Sequence, residues 1–71
     1  MNKQELIKKK EYMMVLKFNG GYFAIAVICD KIYTDEVLFT QKVSEFQFGF
    51  GLKFKIGALN IIDDHTIEAH L

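Results

Sequence analysis

From Phe46 to Ile56 the chain sets an apolar residue at every second position: Phe46, Phe48, Phe50, Leu52, Phe54 and Ile56, with Gln47, Gly49, Gly51, Lys53 and Lys55 between them. A period of two belongs to the pleated strand, whose successive side chains point to opposite faces, and no helix gathers those six on one side. A lone strand or hairpin cannot shield such a face, so the rest of the chain must supply a sheet. Drawn straight, a segment of this length spans ~36 Å, too long for a small sheet. Gly49 and Gly51 are therefore read as the site of a bulge or sharp bend.

The remaining segments read mainly as further strands. Tyr12, Met14, Leu16 and Phe18 alternate with Met13, Val15 and Lys17, and Asn19-Gly20-Gly21 then offers residues that tolerate positive φ before the next apolar run. That pattern is a hairpin signal. The second strand, Tyr22 to Ile28, is apolar on both sides, with Phe23, Ile25 and Val27 on one and Tyr22, Ala24, Ala26 and Ile28 on the other. A central strand covered on both faces carries such a run, and the alanines leave room for a packed helix. Cys29 to Lys31 is read as a turn, Ile32 to Lys42 as a third strand interrupted near Asp35 and Glu36, and residues 58 to 62 as another strand. Asp63 to His65 turns, and Thr66 to Leu71 closes the chain with Ile67, Ala69 and Leu71 inward. A terminal helix capped by Asp63 or Asp64 is the lesser alternative. At the other end, Asn2 and Glu5 have capping-box spacing, which predicts a short helix over residues 3 to 11 with Leu6 and Ile7 on its apolar stripe. The expected class is α+β: a short N-terminal helix followed by a curled antiparallel sheet of five or six strands, in the limit a partly closed small barrel.

Length limits what such a fold can do. Seventy-one residues make a single domain, 1–71, and a core of this size rarely leaves more than ~3 to 5 kcal/mol of net stability. No disulfide within the chain can add to it, because Cys29 is the only cysteine, and a lone thiol fits a reducing, cytoplasmic setting. The longest uninterrupted apolar run, Tyr22 to Cys29, is eight residues, where a membrane-spanning helix needs ~20. Yet half the residues are apolar and ten are aromatic, more than one thin sheet and one short helix cover comfortably. A homodimer or a partner protein would absorb the excess.

The net charge is zero, from nine Lys against nine Asp and Glu, and there is no Arg. Without the planar guanidinium fork, sequence-specific reading of nucleic acid is disfavoured. The charges are also graded: residues 1–17 hold five Lys and two Glu, whereas residues 56–71 hold three acids and no Lys. Such a dipolar chain can pair its ends within one molecule or between copies.

No constellation of reactive residues emerges. His65 and His70 are five residues apart, which puts them on opposite faces of a strand and far apart around a helix, so no metal is expected. Ser44 lacks the glycine-flanked elbow of a hydrolase nucleophile. The carboxylate of Asp30 beside Cys29 raises a thiol pKa rather than activating the sulfur. Gly49-Phe50-Gly51 is not followed by the third glycine and helix of a dinucleotide loop. The chain is thus expected to be no enzyme and to need no cofactor.

What the pattern favours is a small protein-binding module, in the form of a phage or mobile-element inhibitor that docks on a host protein, and a homodimer. The candidate contacts are Gln47, Lys53 and Lys55 on the polar side of the long strand, with Asp63, Asp64 and Glu68 as an acidic patch. The alternative is a small barrel that binds single-stranded nucleic acid, with Lys8, Lys9, Lys10, Lys53 and Lys55 on phosphates and aromatic rings under the bases.

Overall fold

The computed structural model describes residues 6–70. They form β1 (Glu11–Phe18), β2 (Gly21–Ile32), β3 (Glu36–Ser44), β4 (Gln47–Lys55), a 3-10 turn at Ile56–Ala58, β5 (Leu59–Ile61) and β6 (Thr66–His70). All six strands belong to one mixed sheet in the order β4-β3-β2-β1-β6-β5. The first four make an antiparallel meander, and β5 and β6 are antiparallel to each other. β6 then lies parallel to β1, with Met14 opposite Ile67 and Leu16 opposite Ala69.

One face of this sheet is the core. Tyr12, Met14 and Leu16 of β1, Val27 and Cys29 of β2, Val37 and Phe39 of β3, and Ile67 and Ala69 of β6 are buried. Leu6, Ile25, Leu52, Phe54 and Leu59 pack around them. A single layer hides side chains this fully because it is bowed. Flat, six strands would hold the outer two ~24 Å apart, yet β4 and β5 are joined by Ile56–Ala58 alone, a link of ~14 Å at most from Lys55 to Leu59. The molecule is accordingly 20 Å through its thinnest axis, about twice one flat layer. The bow stops short of closure: no ladder joins β4 to β5, and both remain free edges.

Several expectations are corrected here. Among the described residues the chain is all-β with no α-helix, and its sheet is mixed and open, neither curled strongly nor closed into a barrel. Residues 3–5 of the expected helix, with Asn2 and Glu5 of its capping box, lie outside the described residues. Within the remainder, Lys10 N–H donates to the Ile7 carbonyl at 3.2 Å in a tight turn, and Lys9 adopts φ 73°, a left-handed conformation that ends any helix. Pairing drives this: Lys9 N–H donates to the Cys29 carbonyl at 2.6 Å and Cys29 N–H to the Lys10 carbonyl at 3.0 Å, so the segment is drawn onto β2. The expected turn at Cys29 to Lys31 is instead a bulge, since Cys29 faces Phe39 and Lys31 faces Leu38 with Asp30 unpaired between them. The chain reverses at Tyr33–Asp35, where Tyr33 N–H donates to the Glu36 carbonyl at 2.7 Å. β2 is central, but only one of its faces is covered; Ala24 is exposed and Ala26 and Ile28 are half-buried.

Candidate functional site

The β2–β3 ladder runs from Ile32 opposite Val37 to Val27 opposite Gln41 and ends there. Above that pair, Gly21–Ala26 of β2 are matched by β1 alone, and the end of β3 by β4 alone. The two hairpins therefore part, leaving a split at one end of the sheet. It coincides with an irregularity in β4. Thr40 faces Gly51 but Lys42 faces Phe48, so Gly49 and Phe50 share the single opposing residue Gln41. This is a bulge, which bends the strand and increases its twist. A second irregularity follows between Lys42 and Ser44. The Gln41 side chain lies across Gly49, with Oε1 2.6 Å and Cβ 3.3 Å from where a Cβ would stand, so any larger residue at 49 requires Gln41 to shift.

The bulge also breaks the expected single apolar face of β4. Residues opposite one another share a side, so Phe48 falls on the side of Thr40 and Lys42, whereas Leu52 and Phe54 remain on the core side opposite Phe39 and Val37. Around the split the apolar side chains are uncovered. Phe46 is 92% exposed, Tyr22 70%, Phe50 69% and Phe48 52%, and Phe18, Phe23 and Val43 are also exposed. Phe18 and Phe23 hold each other at a ring separation of 5.8 Å across the first hairpin. Strict alternation assigns these phenylalanines to the core; the pair of glycines inside the run is the one mark in the sequence that the strand breaks there.

The polar residues singled out above do not gather into one site. Gln47 starts β4 beside Ser44, while Lys53 and Lys55 lie near the far end of the same edge strand. Lys55 Nζ stands 3.4 Å from Asp35, and Lys53 Nζ sits 5.6 Å above the Tyr33 ring. Asp63 and Asp64 occupy the β5–β6 connection, next to the other edge. The carboxylate of Asp63 accepts the His65 N–H at 2.8 Å, and this bond foremost holds its pKa below the ordinary carboxylate value. Glu68 of β6 binds Lys17 of β1 at 2.8 Å and is held low first by that contact and then by Asn60. The basic and acidic ends of the chain thus meet at Lys17 and Glu68 inside one molecule.

Lys8, Lys9 and Lys10 lie in the turn before β1. Lys9 Nζ binds Asp30 at 3.0 Å and, foremost among its basic neighbours, lowers the Asp30 pKa. Lys10 Nζ caps the Tyr12 ring at 5.3 Å. Two of these five candidate lysines are thus paired with carboxylates and two stand over rings. Cys29 is fully buried, and burial first, then Asp30, pushes its thiol pKa up. Among the described residues no three His, Cys, Asp or Glu side chains group as metal ligands, and no helix is long and apolar enough to cross a membrane. No protein-family model, curated protein or solved structure matches the chain.

Proposed function

We propose that this chain is a small, non-catalytic protein-binding module whose contact surface is the split apolar end of the sheet. The observation that carries the proposal is the concentration of exposed large apolar side chains on the tips of two hairpins: seven of the thirteen on the described surface lie there. Phe18 and Phe23 stand on the core side of the sheet and Tyr22 and Phe48 on the other, and exposed apolar side chains gathered at one end of a sheet in this way mark a place meant to be covered. Aromatic residues lead such contacts, because a ring buries much area at little entropic cost. With a buried, unactivated thiol and scattered histidines, the chain would act by occupying a partner's surface rather than by chemistry. An inhibitor that blocks a host protein is the form of this role that fits its size and composition.

The test is capture on the immobilised chain from the native cell, comparing wild type with Phe46→Glu and with Ile62→Glu, a charge placed on an exposed residue outside the split. A protein retained by wild type and Ile62→Glu but lost with Phe46→Glu supports the proposal; retention indifferent to Phe46→Glu removes it. If single-stranded nucleic acid is retained instead, weakening steeply with salt and with Lys8, Lys9 and Lys10 changed to Glu, the alternative function takes its place.

A further inference from the structure

We infer that the split end is an isologous interface, covered in solution by a second copy of this chain; the inference rests on the protein-binding role proposed above and names its occupant. Area is the first argument. At ~200 Å² for a whole aromatic side chain, the exposed fractions of Phe18, Tyr22, Phe23, Val43, Phe46, Phe48 and Phe50 amount to roughly 800 Å² over the two faces of the split together, which reaches what each partner contributes to a stable interface of standard size where the second copy engages both faces.

Charge is the second argument. In a two-fold interface each surface meets itself, so any unbalanced charge near the axis meets its own sign. The ionised groups near the split are largely balanced: Lys42 binds Glu11 at 2.9 Å and Lys17 binds Glu68 at 2.8 Å, which leaves Glu45 at the β3–β4 tip. The split thus carries one unbalanced charge, where elsewhere two like charges stand together. Lys31 and Lys53 flank Leu38 from β2 and β4, and Asp63 and Asp64 adjoin one another; either set facing its own copy would repel.

Backbone geometry is the third. Cys29 N–H donates toward β1, to the Lys10 carbonyl. By strand alternation the N–H of Ala24 points the other way, to the side that β3 has left. A second copy's strand can pair there while the phenylalanines pack, so the split offers both main-chain and apolar contacts.

Sedimentation of the full chain at micromolar concentration tests this, with circular dichroism to confirm that each variant is folded. Expected are twice the chain mass for wild type and Ile62→Glu, and the single-chain mass for Phe46→Glu and Phe50→Glu. A second measurement follows the Ala24 amide in wild type, whose hydrogen exchange slows as concentration rises. A wild-type monomer, or a dimer untouched by both glutamates, overturns the inference. The parent proposal fails separately: a monomer whose captured partner is lost with Phe46→Glu keeps the binding role and removes only the second copy.

Discussion

Gln41 lies across Gly49 so closely that a methyl group at 49 would come 2.6 Å from its Oε1 and 3.3 Å from its Cβ. The contact sits where two ladders change together. On one side of β3 the pairing with β2 ends at Gln41, and on the other β4 presents Gly49 and Phe50 to that same residue. Gly49→Ala should therefore push Gln41 aside and disturb the bulge, costing about 1 kcal/mol, as typical single changes do. Gly57→Ala, with nothing within 4 Å of the added carbon and no positive φ, should be neutral or slightly stabilising. Urea unfolding of the two variants checks this; equal midpoints would mean that Gln41 does not depend on the glycine.

Met14 lies fully buried on β1, between Ile25 of β2 and Ile67 of β6. Truncating it to Ala removes core contacts in the middle of the sheet at a typical cost of ~2 to 5 kcal/mol. Against a net stability of ~3 to 5 kcal/mol for so small a core, Met14→Ala should be largely unfolded near room temperature. A cooperative thermal transition close to that of wild type would show that the core lies elsewhere.

Cys29 titrates above its ordinary value of 9.0, burial being the first cause and Asp30 the second. Above that ordinary value the unfolded chain releases the thiol proton while the native state still holds it. The native state then binds more protons, and stability falls as pH rises. Cys29→Ala should flatten the alkaline limb of a stability profile, and the native thiol should react with a maleimide only at the rate of opening. Prompt labelling of folded protein at neutral pH would contradict the buried position.

Glu68 shows the opposite sign. Lys17, the first cause, holds its carboxyl below the ordinary value in the folded state. The stability it contributes is present above the unfolded carboxylate range and is lost as pH falls through the depressed folded value. Glu68→Gln should remove that part of the acid limb while leaving the alkaline limb unchanged. An unchanged acid limb would indicate that the Lys17 contact is too loosely held to bias the proton.

Much of the strand content was legible in the sequence because it rests on local alternation and turn chemistry. Gly20 takes the positive φ that Asn19-Gly20-Gly21 requires, and Ile67 and Ala69 point inward as their spacing indicates. Long-range pairing leaves no such mark. The parallel match of β6 to β1 joins strands far apart in the chain, and no residue in Thr66–His70 signals it. The turn at Lys9 escapes notice for a similar reason, since Leu6, Ile7 and the lysines fit a helix until β2 competes for their backbone. The candidate site was half visible. Its aromatic residues stand out in the sequence, but their exposure comes from a ladder that stops at Gln41, and a register is a property of two strands rather than one.

The split itself is tested most directly by amide hydrogen exchange in the Phe46→Glu variant, whose added charge keeps the chain monomeric on the interface inferred above. In β2, Ile28 lies opposite Thr40 within the β2–β3 ladder, whereas Ala24 lies beyond its last pair. The Ile28 amide should be protected by orders of magnitude and the Ala24 amide should exchange nearly as freely as an unstructured one. Equal, strong protection at both positions would mean that β2 and β3 remain joined to their ends and that no split exists.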